Sequence, residues 1–302
     1  MKLVTIAGGQ GFVGQHLLRS LEQQGFSVES LSLRKAGWKH EFNSNTKVII
    51  NLVGKAHDHK NLAKEEDYYY ANVELAKQIF DLFIQSSADL FIHVSSIAAL
   101  EEYQSSKPLV ESNECRPESW YGKSKREAEK WLVEQEVPVN KKIVILRPPM
   151  IHGSGDKGNL GLFYTLISKG IPYPLASFHN KRTFIAIDNF CFFIEQIIRN
   201  KTRIKSKLYH VADNESISTN EIIEVIKSVT GKRTPNLPLP QFLVKAFAKL
   251  GDVFPIPLNS KRLKKMTNDL LVSNEKIKNE LNINELPITA LEGIQKTIKS
   301  FL

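Results

Sequence analysis

Cysteine is scarce in this chain: Cys115 and Cys191 are the only two in 302 residues, and neither stands in a CxxC pattern. A disulfide framework and a thiolate metal cluster are both excluded, and each cysteine reads as a free thiol. No stretch approaches the roughly 18 uninterrupted apolar residues of a membrane span, and the apolar start LVTIAG is too short for a signal-peptide core. The expectation is a cytoplasmic protein with no integral membrane segment. Internal repeats and low-complexity tracts are absent as well. Hydrophobic residues at 42% and charged residues at 24% sit near globular averages, which excludes a disordered, collagen-like or coiled-coil chain. At roughly 150 residues per domain the length leans to two domains. Acid is the minority charge, 32 residues against 41 basic ones, so the net charge of +9 favours anionic partners. Nucleic acid is not among those expected, because no basic groove with interleaved aromatics and no recognised module is visible. The densest basic cluster, Lys261, Arg262, Lys264 and Lys265, reads as a solvated helix face.

What the chain does have is a series of short continuous apolar runs alternating with helix-period segments. Leu3 to Ala7, Val28 to Leu33, Val48 to Val53, Leu90 to Val94 and Ile143 to Leu146 read as strands buried on both faces. Val13 to Gln24, Tyr68 to Gln85 and Ser119 to Gln135 read as helices between them. This alternation predicts an α/β fold with a doubly wound parallel sheet. Beyond Arg147-Pro148-Pro149 the texture becomes irregular, with helical stretches at Leu160 to Ser168 and Phe242 to Leu250. Thr183 to Ile187 and Lys207 to Val211 look strand-like and flank the apolar helix Phe190 to Ile198, so both are expected to return to the first sheet. The resulting division assigns residues 1–150 and about 183–212 to a dinucleotide-binding domain, and about 151–182 and 213–302 to a smaller, mixed substrate domain.

Gly8-Gly9-Gln10-Gly11-Phe12-Val13-Gly14 follows the first strand and opens the first helix. Gly8, Gly11 and Gly14 stand where a dinucleotide site needs a sharp turn, close approach to a pyrophosphate and tight helix packing, and the helix start offers free N–H donors. An NAD-preferring site would carry an acid about 20 residues further on. Here Ser32-Leu33-Arg34-Lys35 occupies that place, with no acid between Glu29 and Glu41. Arg34 would accommodate a 2′-phosphate, so NADP is the expected cofactor and NAD the alternative.

Tyr121 and Lys125 stand four apart at the start of a helix, on one face. They lie downstream of a strand ending His93-Val94-Ser95-Ser96, whose end should face the cofactor in an open parallel sheet. A phenol is a poor acid-base group near neutrality, but a nearby ammonium favours its phenolate. Lys125 would supply that charge, and the Ser96 hydroxyl would hold the substrate oxygen while Tyr121 exchanges a proton with it.

With these motifs the sequence resembles the extended short-chain dehydrogenase/reductases that act on nucleotide sugars, the NAD-dependent epimerase/dehydratase family. Its landmarks are the GGQGFVG turn, Asn51-Leu52-Val53-Gly54, Asn72-Val73, Val94-Ser95-Ser96, Tyr121-Gly122-Lys123-Ser124-Lys125, and Leu146-Arg147-Pro148-Pro149 followed by His152-Gly153. The resemblance implies a Rossmann fold, Tyr121 as acid/base, Lys125 as ribose anchor and pKa modulator, and Ser96 as third member of the triad. It also implies that Phe12, Val13, Leu52, Val53 and Pro148 line the cofactor. Lys157 to Leu160, Lys181 to Asn189, His210 to Asp213 and Val272 to Ile277 look like bacterial UDP-sugar 4-keto reductases, which implies Arg182 on a substrate phosphate and Asn159 lining the UDP-sugar pocket.

The sequence departs from that pattern in two places. Arg34 to Lys47 is too short for the extra strand and helix usual there, and Ala98-Ala99-Leu100 replaces the usual residues after Ser96, with Glu101 to Ser119 expected as a loop over the site. The expected activity is NADPH-dependent reduction of a UDP-4-keto-6-deoxy-N-acetylhexosamine for surface polysaccharide. The alternatives are a UDP-sugar 4-epimerase with retained NAD and a non-catalytic dinucleotide sensor. A homodimer through helices 68–85 and 119–135 is expected by the same resemblance. His57-Asp58-His59 offers no third ligand at metal spacing. Gln241 to Leu250 is expected to face the core, a membrane-surface helix being the alternative.

Overall fold

The computed structural model describes residues 2–56, 62–156, 158–254 and 259–302. Its strands are β1 Leu3–Ala7, β2 Ser27–Leu31, β3 Val48–Asn51, β4 Leu90–Val94, β5 Lys142–Arg147, β6 Ile151–His152, β7 Arg182–Thr183, β8 Ile185–Ala186, β9 Leu208–His210 and β10 Ser216–Ile217. Its α-helices are α1 Phe12–Gln23, α2 Glu65–Tyr69, α3 Leu75–Gln85, α4 Trp120–Glu134, α5 Asn159–Ser168 and α6 Ile187–Arg199, then α7 Thr219–Thr230, α8 Gln241–Leu250, α9 Ser260–Thr267, α10 Glu275–Leu281 and α11 Ala290–Lys299. Among the described residues no helix is long and apolar enough to cross a membrane.

Six strands form one parallel sheet in the order β2-β1-β3-β4-β5-β9. The chain winds outward from β1 in both directions, so the carboxyl ends of β1 and β3 flank a switch point where a crevice opens. This is a Rossmann sheet; its inner strands β1, β3, β4 and β5 are largely apolar because helices cover both faces, whereas edge strand β2 exposes Glu29 and Ser30. On one face α1 and α6 pack Leu17, Leu21, Phe190, Phe193, Ile194 and Ile197 against Ile6, Ile50 and Ile92. On the other, α3 and α4 bring Ile79, Phe80, Phe83 and Leu132 onto Ile49, Phe91 and Ile145. Each such side chain contributes roughly 1.5–3 kcal/mol by leaving water. Trp38, in the short segment after β2, is buried in this second core beside Leu31.

The expected return of residues 207–211 to the sheet is seen as β9 on β5. That of 183–187 is not. The run divides at Phe184: β7 pairs antiparallel with β10, and β8 pairs in parallel with β6. The edge of β5 is already taken by β9, and the buried Asp213 carboxylate accepts the Ala186 N–H, which ties β8 away from the main sheet. A second core, built by α5, α7, α8, α9 and α11, gathers Leu160, Ile167, Ile223, Val244, Leu263 and Ile294.

The helix predicted over 68–85 begins at Glu65 and contains one π turn, Tyr70–Glu74, between α2 and α3. A π turn inserts one residue into the helical ladder and re-aims the side chains around it. Here it carries Asn72.

Candidate active site

The glycine turn is shaped for close approach. Gly8 has φ +86°, a left-handed conformation that side chains disfavour, and a Cβ there would lie 3.3 Å from the backbone of Leu52 and Val53. A Cβ on Gly14 would lie 2.5 Å from Gly9 Cα and 2.6 Å from Gly8 O. Gly9, which spacing alone did not single out, is equally constrained, since a Cβ would meet Ser30 Oγ at 2.4 Å. Helix α1 starts at Gly11 with no side-chain cap and no acid in its first turn. By contrast α7 and α11 close their N-termini with capping boxes. The uncapped amides of α1, beside a turn with no room for side chains, fit the pyrophosphate of a dinucleotide. Phe12 and Val13 are half-buried at this helix start, and Leu52 and Val53 form the facing wall. Arg34 is exposed just past β2, whose last carbonyl, Leu31 O, accepts the Gly8 N–H at 3.1 Å.

Ser96 follows β4 and is half-buried, as is Tyr121 in the first turn of α4. The Ser96 side chain hydrogen-bonds the Tyr121 hydroxyl. Burial raises the phenol above its usual pKa; the Ser96 bond opposes this, and the Glu102 carboxylate adds to it. Ile97 N donates to Pro148 O at 2.9 Å, so the predicted cofactor-lining Pro148 stands against the segment that carries Ser96.

Lys125, one turn beyond Tyr121, is buried, and its Nζ donates to Val94 O at 3.0 Å. Burial lowers it to about 8, with Glu129 pulling it back up. A group at about 8 still carries its charge at neutral pH. Its neighbour His93 is buried with Nδ1 3.1 Å from Asn51 Nδ2. Burial, then the Lys125 charge, hold this ring well below the usual imidazole range, so it is neutral and Nδ1 accepts.

Around Ser96, Tyr121 and Lys125 stand residues that the sequence marked only as landmarks, with no role assigned. Asn72 on the π turn donates to Ser124 Oγ at 2.8 Å and to Lys55 O at 3.2 Å, and accepts from Lys55 N at 2.9 Å. It thereby clamps the loop after β3 to α4. A Cβ on Gly54 would sit 2.6 Å from Asn72 Oδ1 and 2.9 Å from Lys125 Nζ, so only glycine lets the three meet. Gly122 is constrained likewise, by Ala98 O at 2.4 Å and Glu102 Oε1 at 2.6 Å. The same Glu102 oxygen accepts from Glu118 N and Ser119 N, and the Ser119 hydroxyl caps α4 through Gly122 N. The loop 101–119 is thus fastened to the helix that presents Tyr121. The glycine within YGKSK, like Gly54 and Asn72, was a sequence signal for this close packing.

Beneath the triad lies a buried charge cluster. Glu129, with no exposed surface, accepts from Ser95 Oγ at 2.6 Å, from Arg147 Nε at 2.8 Å and Nη2 at 2.6 Å, and from Arg126 Nη1 at 3.3 Å. It joins α4 to the ends of β4 and β5.

Besides Ser96, the predicted substrate residues are Arg182 and Asn159, and both lie outside the six-stranded sheet. Arg182 on β7 is half-buried and donates from Nη1 to Asn268 O at 3.1 Å; burial lowers it to about 10, with Asp269 opposing. Among the described residues no hydrogen bond joins it to Ser96, Tyr121 or Lys125. Asn159 opens α5, and its side chain lies outside the described residues, as do His57, Asp58 and His59.

A family model described as the NAD dependent epimerase/dehydratase family matches residues 4–212. The chain belongs to that family. It is an extended short-chain dehydrogenase/reductase of the nucleotide-sugar epimerase, dehydratase and reductase group, and an NAD(P)-dependent enzyme. This removes the non-catalytic sensor. A UDP-glucose 4-epimerase from Vibrio cholerae is 30% identical across 100% of this chain and 96% of its own length. A dTDP-4-dehydro-6-deoxyglucose reductase from Escherichia coli is 24% identical over 76% of this chain and 82% of its own. The solved structure of a UDP-glucuronic acid 4-epimerase from Bacillus cereus in complex with NAD superposes with a TM-score of 0.76 at 15% identity, covering 99% of this chain and 98% of that one. The family uses a nicotinamide dinucleotide, and the glycine turn and uncapped α1 fit one.

Proposed function

We propose that this enzyme reduces the 4-keto group of a UDP-4-keto-6-deoxy-N-acetylhexosamine with NADPH, in the making of a surface polysaccharide. The observation that carries the reading is the placement of Tyr121, in the first turn of α4 with Lys125 one turn beyond it and Ser96 at the end of β4. Its phenol is held above the usual value by burial and by Glu102, so it enters the reaction as a proton donor. The bound dihydronicotinamide supplies the hydride. Ser96 turns its hydroxyl proton to the keto oxygen, and its place beside Tyr121 lets both hydroxyls address the same atom. Tyr121 then gives its proton to the developing alkoxide, and the Lys125 charge one turn away favours the phenolate left behind. Arg34 at the end of β2 supports the 2′-phosphate form of the cofactor. Arg182, still cationic with a pKa of about 10, serves the sugar diphosphate, and Asn159 lines the nucleotide-sugar pocket.

The test is NADPH consumption with UDP-4-keto-6-deoxy-N-acetylglucosamine as substrate. Stoichiometric loss of NADPH absorbance is expected, and Tyr121→Phe should lower kcat by about 10²- to 10⁴-fold. Absence of turnover with the wild-type chain overturns the reading. The relative named as a UDP-glucose 4-epimerase favours a second one, a 4-epimerase with retained NAD. Interconversion of UDP-sugars with no net NADPH consumption, and NAD released on denaturation, would establish that reading instead.

A further inference from the structure

Helix α8 was expected to face the core, yet only Val244 and Ala248 do so. They lie on one narrow strip. Phe242, Leu243, Phe247 and Leu250 occupy the opposite arc, and Val253 and Phe254 continue it past the helix end. These six side chains expose between 49% and 79% of their surface. A contiguous patch of large apolar groups on this scale marks an interaction surface, since singly scattered exposed residues are the ordinary case.

The charge around the patch is one-sided. Lys245 and Lys249 flank the apolar arc of α8, and α9, packed against it, presents Lys261, Arg262, Lys264 and Lys265 to solvent. Between Leu237 and Asn268 these six basic residues face a single acid, Asp252. That acid is already engaged, accepting from Ser260 N at 2.9 Å and Ser260 Oγ at 2.6 Å. The chain's net charge is +9, so this short segment holds over half of it.

We infer that α8 and α9 form a peripheral membrane-binding surface for an anionic phospholipid bilayer. The apolar arc enters the boundary between headgroups and acyl chains, while the flanking lysines meet the anionic headgroups. A second copy of this chain is a poorer fit: an isologous pairing of the patch would set its lysines against their own counterparts. The surface also adjoins the catalytic half. Lys265 lies 3.8 Å from Glu102 and over the ring of Tyr103, in the loop that anchors the start of α4. Binding therefore holds the substrate side of the enzyme near the bilayer. This inference does not depend on which sugar the site takes.

The experiment is co-sedimentation of the purified full chain with phosphatidylcholine vesicles, with and without phosphatidylglycerol, at low and high salt. Binding to the phosphatidylglycerol vesicles is expected, weakened by salt and at least about tenfold weaker on phosphatidylcholine alone. Phe242→Ser with Phe247→Ser, and separately Lys245→Glu with Lys249→Glu, should each reduce it at least about tenfold. All four residues are exposed, and an unchanged thermal melting curve with unchanged dinucleotide binding verifies that the variants fold. A wild-type chain that stays in the supernatant with the anionic vesicles overturns the inference. So does a dimer in sedimentation velocity that becomes monomeric in the Phe242→Ser, Phe247→Ser variant, which would assign the face to a second copy.

Discussion

Replacing Glu129 by Gln removes one charge from the floor of the site and should expose how that floor works. Four hydrogen bonds converge on this carboxylate, from Ser95, Arg126 and twice from Arg147, and neither Glu129 nor Arg147 has exposed surface. With Gln in place, the Arg147 guanidinium keeps its full charge in a dry setting and faces an amide NH₂ on one side. Breaking a buried pair by removing one partner costs about 3–5 kcal/mol, a large part of a typical domain's stability. The same change strips Lys125 of the charge that opposes its desolvation, so its pKa should drop below about 8. Urea unfolding at pH 7 reads the first effect through the midpoint, and the pH profile of turnover reads the second as a limb moved to lower pH. Glu129→Leu combined with Arg147→Met removes both charges together and should cost less than either single change. A Glu129→Gln variant within about 1 kcal/mol of wild type, or a double variant less stable than both singles, would refute the reasoning.

Three further outcomes are expected. Gly14→Ala forces a Cβ into backbone atoms 2.5 and 2.6 Å away, so nicotinamide dinucleotide binding, followed by fluorescence titration, should weaken at least about tenfold. Arg34→Ala should weaken NADPH about tenfold while leaving NADH within about twofold; equal losses for both would dissociate Arg34 from the 2′-phosphate. His210 is lowered to about 3 by burial and then by the Arg147 charge. Its unfolded form takes up a proton below about pH 6.5 where the folded form does not, so it contributes stability that is lost as pH falls, about 2 kcal/mol between pH 6.5 and 5. His210→Gln should flatten the urea midpoint over that interval by a corresponding amount, and an unchanged slope would count against it.

The parts of the fold legible in the sequence are those set by local pattern. Strands β1, β3, β4 and β5 are continuous apolar runs because helices bury both their faces, and α1 and α4 begin within a residue of their expected positions. Thr183 to Ile187 was misplaced because a five-residue apolar run specifies burial but not a partner, and Ser216–Ile217 and Ile151–His152 provided two. For α8 the period identified a helix with an apolar stripe, while the side left open depended on which residues α9 and the second core could cover. Ser96, Tyr121 and Lys125 were picked out together by side-chain type and spacing, and the fold sets Lys125 one helical turn beyond Tyr121 with Ser96 at the end of β4. Asn72 and Gly54 stood out only as family landmarks and Glu102 and Glu129 not at all, since each matters through a contact that the fold makes: Asn72 with Ser124, Gly54 with Lys125, Glu102 with Ser119, Glu129 with Arg147.

Those long-range contacts explain why the buried ion pair is present at all. Apolar side chains in place of Glu129 and Arg147 would pack the same space without desolvating two charges, so stability alone does not account for the pair. Tyr121, Lys125 and Glu129 stand at successive four-residue steps on one face of α4, and burial opposes the charge on Lys125. Glu129 opposes that effect, and the bidentate Arg147 holds its carboxylate in place. The electrostatic order therefore runs from Arg147 through Glu129 to Lys125. It follows that stability and turnover separate in the apolar double variant. That protein should fold, yet with Lys125 lowered further it should turn over substrate more slowly at neutral pH. Activity equal to wild type in a well-folded Glu129→Leu, Arg147→Met chain would show that Lys125 holds its charge without them.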